Sequence, residues 1–142
     1  MAASSKAACV FCKIAEGSLA AHLVHEEEAF LAFLDKTPLF PGHCLLVPRI
    51  HYDTLTDVPP DLVGPLFTCA QRLARAVERA LDAEGFFVAI NNKVSQSVPH
   101  LHVHVVPRRK KDGLKGFFWP RHPYPNDEEM ARVQAAIRAA WE

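Results

Sequence analysis

His100, His102 and His104 alternate with Leu101, Val103 and Val105. In an extended strand successive side chains point to opposite faces, so this spacing predicts one face of imidazoles and one apolar face. The apolar face can pack on a core. The other presents groups that act as base, nucleophile or metal ligand near neutral pH. Three imidazoles in register add nothing to packing, and all their ring nitrogens need partners. The row therefore points to a functional site.

The pattern along the rest of the chain predicts what positions that row. Cys9 to Gly17 reads as a short helix closed by a glycine. Leu23 to His25 and Ala29 to Leu34 read as hairpin strands, with Glu26, Glu27 and Glu28 near the turn. Pro38 to Gly42 breaks the chain, and His43 to Val47 reads as a third strand stopped by Pro48. Residues 57–61 signal a helix entry. Leu62, Leu66, Cys69, Ala70, Leu73, Val77, Ala80 and Leu81 then recur at helical spacing between Asp61 and Ala83. Pro65 fits only near the start of that helix, and Gly85 ends it. Phe86 to Asn91 reads as a fourth strand, Asn92 to Pro99 as a loop, and His100 to Val106 as a fifth strand stopped by Pro107. Lys110 to Pro125 is irregular. Asn126 and Glu129 have capping-box spacing, ahead of a helix striped by Met130, Val133, Ile137 and Trp141. The expectation is an α+β fold: an antiparallel five-stranded sheet with one long helix and a C-terminal helix.

A chain of 142 residues with 49% hydrophobic composition suffices for one packed domain. The expected organisation is a disordered lead-in over 1–8, a principal domain over 9–109, and an extension over 110–142 belonging to the same domain. The formal net charge is zero, which excludes a general nucleic-acid binder. No apolar run reaches membrane-spanning length, and Met1 to Ala8 lacks the apolar stretch of a signal peptide. A cytoplasmic location with reduced thiols is expected. Arg108, Arg109, Lys110, Lys111, Lys115 and Arg121 follow the histidines with only Asp112 opposing them. Such a run forms either a solvated loop or a positive rim for phosphate.

The string Gln96-Ser97-Val98-Pro99-His100-Leu101-His102-Val103-His104-Val105-Val106 resembles the signature of the histidine-triad superfamily of nucleotide hydrolases and transferases. Ala32-Phe33-Leu34-Asp35, Pro41-Gly42-His43 and Val47-Pro48 occur upstream in the matching order. The chain is similar to small bacterial-type members of the Hint branch, with the Fhit branch next nearest. The resemblance implies cleavage at the α-phosphate of purine nucleoside phosphoramidates or dinucleoside polyphosphates through a covalent nucleotidyl-histidine, and a homodimer. It implies His102 as nucleophile, His104 as donor to a phosphate oxygen or leaving group, and His43 and His100 as fixing the imidazole network. It assigns the α-phosphate to Gln96, Ser97 and nearby amides, the phosphate or leaving-group side to Asn91, and the ribose hydroxyls to Asp35. Phe11, Ile14 and Phe33 are candidates for a base slot. One departure is the loop before the triad, usually glycine-rich and longer, which here is Asn92-Lys93-Val94-Ser95.

Cys9 and Cys12 have the spacing of a zinc pair, which needs two more ligands. His51 and His100 complete the set, as similar superfamily members imply, giving a structural zinc; the alternative is two reduced cysteines on a short helix. Two other readings compete with the hydrolase: a metal-dependent hydrolase with the histidines as ligands, and a non-catalytic nucleotide-binding regulator.

Overall fold

The computed structural model describes residues 6–115 and 120–142. Met1 to Ser5 of the expected lead-in lie outside the described residues, and Lys6 to Ala8 make a turn in which the Cys9 amide donates to the Lys6 carbonyl at 2.9 Å. The chain divides into two units, Met1–Asp112 and Gly113–Glu142.

The first unit is an α+β fold around a five-stranded antiparallel sheet. Its strands are β1 (Leu23–Glu26), β2 (Phe30–Leu34), β3 (Cys44–Pro48), β4 (Gly85–Ala89) and β5 (Val103–Arg108). They lie in the order β1-β2-β3-β5-β4. Helix α1 (Val10–Glu16) precedes the sheet, and helix α2 (Pro60–Ala80) joins β3 to β4. Alternation in the strands separates two apolar layers. Phe30, Ala32, Cys44, Leu46, Leu101, Val103 and Val105 pack with Leu66, Cys69, Leu73 and Val77 of α2. Leu31, Phe33, Leu45 and Val47 turn the other way and pack with Phe11 and Ile14 of α1.

Local chemistry sets the element ends. The Cys9 side chain accepts from the Cys12 amide at the start of α1, and Gly17 closes it at φ +82°. Pro60 opens α2, where a missing N–H leaves no bond unmade, and Pro65 sits early enough to be tolerated. Gly42 has φ +98°, and a Cβ there would stand 3.0 Å from Leu81 Cγ. Both facts require glycine in the turn that delivers His43 to the start of β3.

The fifth strand departs from the expected one. It starts at Val103 rather than His100, and runs through Pro107 to Arg108. The reason is upstream: the Leu101 amide donates to the Tyr52 carbonyl at 2.7 Å and the His100 amide to the Val98 carbonyl at 2.8 Å. These bonds take residues 98–102 off the ladder, while Phe11 still packs edge-on against both His100 and His102. The basic run also differs from a rim beside the histidines. Arg108 ends β5 some six residues, or about 20 Å, from His102. Arg108 Nε is 2.6 Å from Asp112 Oδ2, and Arg109 donates to the carbonyls of Leu81 and Asp82.

In the second unit α3 (Asp127–Ala140) begins at Asn126, whose side chain accepts from the Glu129 amide at 2.8 Å. The expected capping box is half formed, because the Glu129 carboxylate pairs with Arg132 instead of reaching back. Among the described residues no helix is long and apolar enough to cross a membrane.

Candidate active site and metal cluster

His102 is almost fully buried, and its Nδ1 lies 2.8 Å from the His100 carbonyl oxygen. A carbonyl only accepts, so Nδ1 carries the proton. The neutral ring then has its lone pair at Nε2. Phe11 stands edge-on to this ring with centroids 5.1 Å apart, which holds its plane. The nucleophile implied by the sequence is thus held in one tautomer by backbone and in one orientation by packing.

His43 and His104 form a second ordered pair. The Leu39 amide donates to His43 Nδ1 at 3.0 Å, so His43 has its proton at Nε2. That Nε2 donates to His104 Nδ1 at 3.0 Å, which leaves the His104 proton on its own Nε2. The His102 and His104 rings, with centroids 4.9 Å apart, therefore offer one nitrogen lone pair and one N–H donor side by side. A nucleophile next to an acid is what displacement at phosphorus requires. Asp35 Oδ2 is 3.7 Å from His43 Nε2, and its Oδ1 accepts from the Thr37 amide at 2.9 Å. Burial, reinforced by the neighbouring His102 and His43, pushes His104 down to about 4. Burial lowers His43 as well, against the attraction of Asp35. Both shifts favour the neutral rings.

The other sequence-derived site residues divide between these rings and their supports. Asn91 follows Ala89, which pairs with His104 across β4 and β5. Ser97 is exposed. Gln96 has both ends of its amide engaged: Oε1 accepts from the Lys93 amide at 2.8 Å and Nε2 donates to the Asp53 carbonyl at 2.5 Å. That engagement locks the loop, and Asn92 Oδ1 adds a bond from the Leu55 amide at 2.8 Å. Lys93 and Ser95 sit at φ +69° and +60°, the conformation glycine favours. The glycines absent from this loop are thus replaced by residues forced into glycine-like geometry. Phe11, Ile14 and Phe33 are buried core side chains in mutual contact.

His100 belongs to the other constellation. Its Nδ1 lies 3.4 Å from Cys9 Sγ, 3.5 Å from Cys12 Sγ and 3.1 Å from His51 Nδ1, and His51 Nδ1 lies 3.3 Å from Cys12 Sγ. The far nitrogens are both donors: His100 Nε2 to the Pro48 carbonyl at 2.9 Å, and His51 Nε2 to Asp53 Oδ1 at 2.7 Å. Both Nδ1 lone pairs therefore face inward at close range, an arrangement that needs a cation or thiol protons between them. A tetrahedral zinc with usual bond lengths would set nitrogens about 3.3 Å apart and nitrogen to sulfur about 3.6 Å apart. The donor set and spacing fit that ion. Asp53, which the sequence reading missed, orients His51 and also carries the carbonyl that holds Gln96. Its only sequence signal was proximity to His51.

Residues 16–111 match the HIT domain family. The chain is 31% identical over 137 residues to the adenylylsulfatase HINT3 of Arabidopsis thaliana, covering 92% of this chain and 68% of that protein. It is 34% identical over 113 residues to the adenosine 5'-monophosphoramidase HNT1 of Saccharomyces cerevisiae, covering 79% and 70%. A zinc-bound histidine triad family protein from Mycobacterium smegmatis superposes with TM-score 0.72 at 38% identity, covering 91% of this chain and 97% of that one.

The depressed His104 predicts a pH dependence. As pH falls, the unfolded chain binds a proton near 6.5 and the folded His104 only near 4. Its contribution to stability is complete above about pH 6.5 and is lost as pH falls toward 4, reaching about 3 kcal/mol. The His104 ring resonances should hold their neutral shifts to about pH 5 and titrate near 4. A midpoint between 6 and 7 would contradict the ordered His43–His104 pair.

Proposed function

The chain belongs to the HIT domain family, and on that footing we propose that it hydrolyses purine nucleotides at the α-phosphorus. His102 Nε2 attacks phosphorus, a P–N bond forms, and the bond to the leaving group breaks. His104 Nε2–H gives its proton to that leaving group. Water then attacks the nucleotidyl-histidine, the P–N bond breaks, and His104 recovers a proton from the water. Ser97, Asn91 and the amides of the Gln96 loop receive the phosphate oxygens as charge builds. Asp35 takes the ribose hydroxyls. The observation that carries this reading is the bond from His102 Nδ1 to the His100 carbonyl, which frees Nε2. The named relatives act on an adenylyl sulfate and an adenosine phosphoramidate, so phosphoramidates, mixed anhydrides and dinucleoside polyphosphates form the substrate panel.

A metal-dependent hydrolase is a second reading. Donor atoms of Asp35, His43 and His104 lie within 4.8 Å of one another. It requires breaking the His43–His104 hydrogen bond, and chelator-sensitive turnover would favour it.

Cys9, Cys12, His51 and His100 hold a structural zinc in this reading. It fastens the start of α1 to the carbonyl that orients His102. The protein is cytoplasmic and acts as a homodimer. Support for the dimer comes from β4, a terminal strand with Phe86 and Val88 exposed, and from exposed Phe67 on α2.

Three outcomes are expected. His102→Ala should lose turnover by about 10⁴-fold or more while nucleotide binding persists; near wild-type rate in this variant would remove the covalent mechanism. Protein purified without chelator or metal-affinity tag should hold one zinc at this cluster, and Cys9→Ser should release it with a loss of about 3 kcal/mol or more in stability by denaturant titration. Sedimentation equilibrium at micromolar concentration should give the dimer mass, and a monomer alone would refute the assembly.

A further inference from the structure

The face of the sheet opposite the imidazoles carries its own group of ligating side chains. His25 lies on β1, Glu27 just beyond it, and Cys69 on α2. One donor atom from each lies within 4.8 Å of the others. His25 Nε2 is 3.1 Å from Glu27 Oε2, and the Cys69 side chain is buried against them. At a zinc-like ion with usual bond lengths, an imidazole nitrogen and a carboxylate oxygen stand about 3.4 Å apart. Two of the three donors are thus already at ligating separation. The catalytic proposal above uses none of them.

Beside this group, between α2 and strands β1, β2 and β3, lies a cavity of about 320 Å³. Val24, Ala32, Leu34, Leu73 and Val77 give it apolar walls, and His25, Cys69 and Arg72 line it too. An apolar chamber next to three convergent ligating groups is the usual form of a small-ligand site.

We propose that His25, Glu27 and Cys69 form a second metal site, for a divalent cation of the zinc class, with its remaining coordination position open to this cavity. A thiolate, a carboxylate and a neutral imidazole bring two negative charges, which a divalent ion neutralises. Binding is an exchange: the Cys69 S–H bond breaks, an S–metal bond forms, and the proton leaves to solvent. Burial, reinforced by the nearby Glu27 charge, pushes the free thiol up to about 11, so without metal Cys69 stays protonated. Arg72, 3.3 Å from Glu27 Oε2, competes with the cation for the carboxylate. Its side chain is 57% exposed, so it can turn to water when the metal enters. The open position makes the site suited to a ligand with a metal-binding head and an apolar body. A structural zinc with four protein ligands has no such opening.

The test is a cobalt(II) titration of protein already carrying one equivalent of zinc, read by absorbance and calorimetry. The wild type should bind one further equivalent, with a thiolate-to-cobalt charge-transfer band. Cys69→Ser should lose the band and the added equivalent. His25→Ala, at a half-exposed position, should fold normally and bind cobalt at least tenfold more weakly. Arg72→Ala should bind it severalfold more tightly, a gain that general destabilisation does not produce. If Cys69→Ser fails to fold, the His25 and Arg72 variants decide. A wild type that takes up no further cobalt, a band unchanged by Cys69→Ser, or equal affinity in wild type and His25→Ala would each overturn the site.

Discussion

The 2.8 Å hydrogen bond from His102 Nδ1 to the His100 carbonyl is the interaction the rest of the structure supports. It decides which ring nitrogen is free. Because His100 supplies that carbonyl, whatever holds His100 also aims the His102 ring. Three elements do so. The His100 ring is tied to Pro48 at the end of β3, its Nδ1 faces Cys9 and Cys12 of the α1 start, and the next amide is held by Tyr52. The Cys9–Cys12–His51–His100 cluster and the His102–His104 pair are therefore one mechanical object, joined at His100, whose ring serves one and whose backbone serves the other.

The phosphate side of the site is held by a different device. Lys93 and Ser95 stand in the left-handed region at a cost of about 1–2 kcal/mol each. The bonds from Gln96 and Asn92 to the backbone of residues 53–55 and 93 keep the loop there. Asp53 links this lock to His51, so the loop and the metal cluster share a support. Rigid placement suits a reaction whose transition state gains charge on phosphate oxygens, since donors fixed beforehand need no reorganisation.

How much of this was legible follows from the range of each signal. The alternation of Leu101, Val103 and Val105 is local and marked the buried face of β5 correctly. The apolar spacing of Leu66, Cys69, Leu73 and Val77 marked the inner face of α2 for the same reason. His100 was read as the first residue of that strand, because alternation continues through it. The bonds that pull it off the ladder come from Tyr52 and Pro48, about fifty positions away, where no periodicity records them. The resemblance assigned Gln96 to the α-phosphate, and sequence does not reveal that its side-chain amide is held by Lys93 and Asp53. The basic run stayed open between a solvated loop and a rim, because sequence shows neither strand length as distance nor the carbonyls that Arg109 reaches. His25, Glu27 and Cys69 could not be grouped at all, since α2 has to fold onto the sheet before they meet.

The two sides of the segment 102–105 belong to different trades, divided by odd and even numbering: Val103 and Val105 face α2, His102 and His104 face the other way. Parity tolerates substitution but not a change of count. Inserting or deleting one residue between Leu101 and Val105 would exchange the faces, driving imidazoles into the helix layer and valines into the reaction centre. The loop before it lies off the ladder, so parity does not govern its length; the Gln96 and Asn92 side-chain bonds do.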